Sequence, residues 1–410
     1  MDQMAGPLSD QDIVDAYHYM LGRWLVLRQE ALDFKEEFKW NEIIHREPGG
    51  VAWATPNLDV AYSEAWIYVD ESSCTIIDLP EIKRRYYTVQ VMNGWAEVIT
   101  NINERNFPNH PFGRFGFCLA GTKTELPPGT QRIDLPGKKS RLLVRIELGA
   151  NPAEACALQK QITMRATGVP KAEAVVAAFD FPNDRLPAAD AFAATEAILA
   201  SEADINEGTD APQRKAREIA KAIADPKERA RIDDVIHRQA IPAFFAYQEK
   251  FGTTRNGWIH PRPAGNYGSD FLTRAFTNFT GIWANNAHEV TYYGAPPFDG
   301  SKTYVQTYPK SGLPESKARY FWSVVVGDTR QSQVIPNPLK RYLLNKQSGL
   351  EFNGDGSLTL AFAPRQPKRV PKPNWLPTPE GGKYRLTYCF YGPTEDVVTG
   401  TYFPPPMMQR

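Results

Sequence analysis

Two strand-rich zones, each of roughly 150 residues, flank a stretch of different character at residues 151–256. That contrast constrains the fold more than any other feature. The middle stretch is rich in Ala, Glu, Lys and Arg and poor in aromatics. Its segments ALQKQITMRATG, ADAFAATEAILASEA and QRKAREIAKAIADPKERARIDDVIHRQAIPAFFAYQEKFG read as helices with Pro and Gly stops. Pro226 divides the last of them, and the charge pattern reads as a solvated helix face.

The first zone, 1–150, opens with a helix. Ser9 is its N-cap, with Asp12 completing a variant of the capping box. Apolar residues from Ile13 to Leu32 follow at helical spacing. Strands are then expected at Tyr62–Val69, Thr75–Leu79, Tyr86–Met92, Glu97–Ile102, Phe115–Ala120 and Leu142–Ile146, separated by turn residues. The third zone, 257–410, begins with a helix from Phe271 to about Val290. Strands at Tyr304–Tyr308, Tyr320–Val326, Leu358–Ala363 and Tyr384–Tyr391 follow, with an extended docked tail. The expected class is α+β, predominantly β: two sandwich-like β domains joined by a helical segment. Short strands with frequent turns argue against βαβ units.

Composition removes several function classes. The 47 basic side chains balance the 47 acidic ones, which argues against a dedicated nucleic-acid binder. No apolar run reaches 18 residues, so no membrane helix is expected. The first residues, MDQMAGPLSDQD, lack the marks of a secretory signal, so a cytoplasmic location is expected. Cys74, Cys118, Cys156 and Cys389 are widely spaced, and in a reducing cytosol Cys118 and Cys389 read as buried structural thiols. The six His show no HxH, HxxxH or HExxH spacing, so no metal site is expected. No phosphate-loop, dinucleotide or nucleophile-elbow motif occurs, so no cofactor is expected.

Two segments carry the chemistry. In Trp53–Trp66, Pro56 fixes one φ, and Asn57 and Asp59 flank one apolar residue. The bland account is an Asx-turn that starts a strand. In Arg84–Asn93, Tyr86, Thr88, Gln90 and Met92 share one strand face, which suits a pocket wall or a solvent-facing surface. Asp59 is the candidate base, Tyr62 the donor and Arg85 the anion anchor. Asn57, Tyr86, Gln90 and Asn93 are the candidate substrate-binding residues. Such equipment suits hydrolysis, elimination or hydration of a small organic molecule. The other class is a non-catalytic small-ligand-binding or assembly protein.

WATPNLDVAYSEAW followed by RRYYTVQVMNGW resembles the start of the paired domain-of-unknown-function 1254 and 1214 proteins. GNYGSDFLTRAFTNFTGIWANNAHEVTYY, RYFWSVVVGD, DGSLTLAF and NWLPTP resemble their second half, in the same order. The resemblance implies two sandwich-like β domains joined by helices, and a homo-oligomer. CLAGTKTELPPG departs from the family's Gly-Pro-x-Trp-x-Gly stretch, and many relatives carry an export signal. Within the matched pattern lie Tyr267, Asp270 and Arg274, the last two read as an i,i+4 surface ion pair. Asn285, Glu289 and Tyr292 are expected on one helix face.

Overall fold

The computed structural model describes residues 8–36, 38–49, 58–171, 180–329 and 333–410. Among them the strands form four sheets, and the fold is α+β and strand-rich with a central helical segment. The first sheet is antiparallel, in the order Ile44–His45, Val60–Tyr68, Lys139–Glu147, Tyr87–Met92, Val98–Ile102. A four-stranded sheet of Gln131–Leu135, Gly113–Leu119, Thr75–Leu79 and Thr163–Ala166 covers one of its faces. Ala65, Ile67, Val89, Val91, Leu142, Val144 and Ile146 meet Ile77, Phe115 and Phe117 in the core between them.

The C-terminal half repeats the arrangement with other strands. A seven-stranded sheet carries Val290–Gly294, Lys383–Pro393, Ala318–Asp328 and Leu343–Asn345 in adjacent positions. A four-stranded sheet of Trp375–Pro377, Leu358–Ala363, Tyr304–Tyr308 and Met408–Gln409 packs on it. Trp322, Val324, Leu344, Leu360, Phe362, Tyr388 and Phe390 fill that core. The tail docks as expected, with Met408 opposite Val305.

Each central strand is apolar at every second residue on its core side. On the other side of the two large sheets lie Tyr62, Gln90, Arg145, Phe321, Ser323, Cys389 and Tyr391. Yet all nine residues of Lys139–Glu147 and all six of Tyr87–Met92 are buried. The reason is that the two domains meet through these outer faces, while the N-terminal helix, with Glu30 on Lys139 and Asp33 on Arg141, covers the other end of the first sheet. Val60 and Tyr86 of the first pack with Val290, Phe321, Cys389 and Tyr391 of the second. A seam rich in polar and aromatic groups therefore separates two apolar cores.

The N-terminal helix, Asp10–Lys35, has the Ser9–Asp12 capping box expected of it. It is buried on all sides from Ala16 to Leu27, the mark of a helix inside a bundle rather than on a surface. It forms one core with Phe192, Ile198, Ile219, Ile232, Val235 and Phe244 of the middle stretch and with Ala275 and Phe276.

Several local expectations need correction. In ALQKQITMRATG the helix spans only Pro152–Gln159, and Thr163–Ala166 is a strand pairing with Thr75–Asp78. The next helix of the C-terminal half ends at Gly281 rather than near residue 290, after which Trp283 takes a left-handed φ of 68°. Asn285, Glu289 and Tyr292 therefore lie on a loop and a strand instead of a helix face. Asp270 is the N-cap of that helix and bonds Arg262, whereas Arg274 is buried on Glu97 and Asp204. Cys118 is no free thiol. It is joined to Cys74, with Cα atoms 4.5 Å apart. The two lie one step beyond the Thr75–Phe117 pair of neighbouring antiparallel strands, which brings them directly opposite. Cys389 is a buried free thiol, as expected.

Candidate functional site

The strand Val60–Tyr68 places Tyr62 opposite Arg145, and Arg145 is opposite Thr88 on the next strand. One step along, Val60 faces Glu147. Asp59 sits just before the strand, where its backbone carbonyl accepts from the Leu148 N–H at 2.7 Å. Its side chain turns into the seam, and Asn345 of the second domain donates to Asp59 Oδ1 at 2.7 Å. Burial pushes the Asp59 carboxyl up to about 6, against the side chains of Ser323 and Asn345, which favour its charged form. Glu147 pushes it further up and Lys346 pulls it down.

Tyr62 lies beside the Arg145 guanidinium, which stands 5.7 Å from the ring centroid. Burial raises the Tyr62 hydroxyl above the ordinary phenol range, and Arg145 opposes the shift. Tyr62 is thus a hydrogen-bond donor near neutral pH, not a base. Gln90 holds Arg145 from the other side: its Oε1 accepts from Arg145 Nη1, while its Nε2 donates to the Ala284 carbonyl at 2.9 Å. Tyr86 is fully buried and donates to Glu289 Oε2 at 3.0 Å. Glu289 also takes hydrogen bonds from Asn103 at 3.0 Å and Arg105 at 2.6 Å. Asn101 and Asn285 exchange amide hydrogen bonds of 2.8 and 2.9 Å across the same seam. Buried polar groups need such partners, and here they come from the opposite domain.

Asp59, Tyr62, Tyr86 and Gln90 are therefore brought to one seam. Arg85 sits at its edge, donating to the Glu147 carbonyl at 2.8 Å and paired with Glu154. It lines a cleft of about 590 Å³ together with Arg84, Glu147, Asn151, Lys346 and Gln347. Glu147 and Lys346, 2.9 Å apart, bridge the domains on the wall of that cleft. Asn93 lies elsewhere, past the far end of the strand, where its Oδ1 accepts from the N–H groups of Trp95 and Glu97 in a tight turn. Asn57 lies outside the described residues. Sequence reasoning missed Arg145, Ser323, Asn345 and Lys346. Among the described residues, no group of three His, Cys, Asp or Glu is arranged to hold a metal ion, and no helix is long and apolar enough to cross a membrane.

The two halves of this seam also mark the two halves of a family. A family described as "Protein of unknown function (DUF1254)" matches residues 40–166, and "Protein of unknown function (DUF1214)" matches residues 293–395. The chain belongs to the family that pairs these two domains. Asp59, Tyr62 and Arg145 come from the DUF1254 part, whereas Ser323, Asn345 and Cys389 come from the DUF1214 part. No curated protein matches the chain. Among solved structures, the VPA0106 protein from Vibrio parahaemolyticus matches with a TM-score of 0.67 at 18% identity, over 98% of this chain and 99% of that one. It shares the fold. An uncharacterized protein from Burkholderia cenocepacia matches at 12% identity with a TM-score of 0.46, over 98% and 94% of the two chains.

Proposed function

We propose that the seam is the site of a cofactor-independent enzyme acting on a small organic molecule, by acid–base chemistry of the hydrolase or lyase kind. One observation carries the reading. A carboxyl group, Asp59, is held between the two domains with its pKa at about 6. A group near that value is populated in both forms close to neutral pH, so it can take a proton in one step and return it in another. Tyr62 supplies a hydroxyl donor in the same seam, and Gln90 and Tyr86 fix the surrounding groups. Arg85 lies on the wall of the surface cleft rather than beside the reacting group. Domain interfaces are a common setting for such sites.

A metabolite screen by thermal shift tests the reading first, because a ligand of the folded state raises the melting temperature by mass action. The ligand found is then offered as substrate. Asp59→Asn is expected to abolish its turnover and leave the fold intact. Undiminished turnover in that variant overturns the proposal.

The second reading is a non-catalytic ligand-binding or assembly protein. The observation favouring it is that the seam's hydrogen bonds, Asn345 to Asp59 and Tyr86 to Glu289, also tie the domains together. Ligand binding without turnover of any bound compound selects this reading. We further propose a homo-oligomer of even symmetry, on the family resemblance; Met408 is exposed on an edge strand that a second copy could extend. A 46 kDa particle in light scattering at micromolar concentration refutes it. The Cys74–Cys118 bond supports an oxidising compartment and weighs against the cytoplasmic expectation.

A further inference from the structure

Arg145 is 5% exposed, yet among the described residues no carboxylate lies within ion-pair distance of it. Most other cations withdrawn from water nearby are paired. Arg141 has Asp33 and Glu64, Lys139 has Glu30, Arg105 has Glu289, and Arg274 has Glu97 and Asp204. Even Arg23, without a close ion pair, has the Glu202 charge acting on it. Arg145 instead donates to neutral oxygens: Gln90 Oε1 and, at 3.3 Å, the Trp283 carbonyl. Its Nε–H has no hydrogen-bond partner among the described residues, which is equally true of Arg141 and Arg274, so the missing carboxylate is what sets Arg145 apart. Desolvation of a buried ion amounts to several kcal/mol, and here tyrosine hydroxyls rather than a carboxylate are what favour the charged form.

The hydroxyls of Tyr62, Tyr292, Tyr391 and Tyr86 all lie within electrostatic reach of this charge. Tyr292 and Tyr391 touch through their hydroxyls at 3.3 Å. On the same strand face, Glu147 is two residues from Arg145, a separation of about 7 Å. Glu147 lines the surface cleft and bridges there to Lys346 of the second domain.

We propose that Arg145 anchors the anionic group of the seam's ligand, and that this ligand is a small monocarboxylate with a flat apolar body. The proposal rests on the reading above only in that the seam takes a small molecule. A planar guanidinium fork matches a carboxylate in geometry. One guanidinium neutralises one charge, which suits a monocarboxylate better than a phosphate dianion. The surrounding tyrosine rings suit a flat apolar body, with their hydroxyls as further donors.

The test is calorimetric titration of the full chain at pH 7.5 with benzoate, with the neutral isostere benzamide and with inorganic phosphate. Benzoate is expected to bind at least about tenfold more tightly than either of the others. Arg145→Met should erase that preference while keeping the melting temperature at or above the wild-type value, since a buried unpaired charge is removed. Arg145→Lys keeps the charge without the fork, and it should fold and weaken benzoate severalfold. The proposal is overturned by absent benzoate binding, by equal binding of benzoate and benzamide, or by a preference that survives in Arg145→Met. Should Arg145→Met fail to fold, wild-type benzoate affinity in Arg145→Lys overturns it instead. Asp59→Asn separates this idea from the acid–base reading. Retained benzoate binding alongside undiminished turnover sinks the role of Asp59 alone, and Asp59-dependent turnover of a neutral compound without benzoate binding sinks the anchor alone.

Discussion

Arg274 and Arg145 are both guanidiniums removed from water, and their surroundings differ in kind. Arg274 lies where the helices meet the first sheet, with Glu97 at 3.0 Å and Asp204 at 2.8 Å. It also stacks over Trp95, 4.4 Å from the ring centroid. Arg145 lies in the seam among neutral oxygens and tyrosines. A cation neutralised by carboxylates joins parts of a fold. A cation left with neutral partners keeps binding capacity for something else. The same contrast separates the helical junction from the seam as a whole.

The largest expected effect comes from breaking the charge-neutralised side. Arg274→Met leaves Glu97 and Asp204 buried without their cation, and should cost about 3–5 kcal/mol in urea unfolding. A loss near zero there, matching Arg145→Met, would erase the distinction. The next effect is remote from both arginines. Replacing Cys74 and Cys118 together by Ser frees a loop of 44 residues' separation, and the chain-entropy model puts the loss at about 4 kcal/mol. The disulfide sits on the sheet that faces away from the seam, so the titration of Asp59 should be unchanged in that double variant. A shifted titration would mean that the seam and the first domain's core are not separable.

A smaller and pH-dependent effect belongs to Asp59. Its folded pKa is raised above the unfolded value, so the protonated form is the one that folding favours. The stabilisation is complete below about pH 4, and it is lost as pH rises through about 6. Asp59→Asn cannot ionise. Its stability relative to wild type should therefore improve between pH 4 and pH 7, by on the order of 1–3 kcal/mol. A pH-independent difference would place the Asp59 carboxyl at its ordinary value. The smallest effect is that of Arg145→Met on stability without ligand, expected within about 1 kcal/mol of wild type or on the stabilising side.

Much of the architecture was legible because one face of each strand follows the period of two. Thr75–Leu79, Tyr304–Tyr308 and Leu358–Ala363 match the expected strands at both ends. The shared face of Tyr86, Gln90 and Met92 was legible for the same reason. What alternation cannot say is where a polar face points. In Lys139–Glu147 the residues Arg141, Arg145 and Glu147 look like a solvent face, so the sequence predicts a strand only over Leu142–Ile146. Covering that face takes the N-terminal helix over Arg141 and a second domain, distant in sequence, over Arg145 and Glu147. Ser323 and Asn345 carry no local signal, because their partner Asp59 is distant in the chain. The i,i+4 spacing of Asp270 and Arg274 misled for a related reason. The helix turns Arg274 inward, and its carboxylates come from residues 97 and 204. The disulfide was obscured by a compartment argument, although Cys74 and Cys118 end two strands that pair.

The central claim is that the seam holds a carboxyl poised for proton transfer, and carboxyl-carbon NMR across pH 3–9 tests it most directly. With aspartate labelled at its side-chain carbon, the spectra of wild type and Asp59→Asn should differ by one resonance that titrates at about 6. If the missing resonance instead titrates near the ordinary aspartate value of about 4, the seam holds a structural carboxylate and the account is wrong.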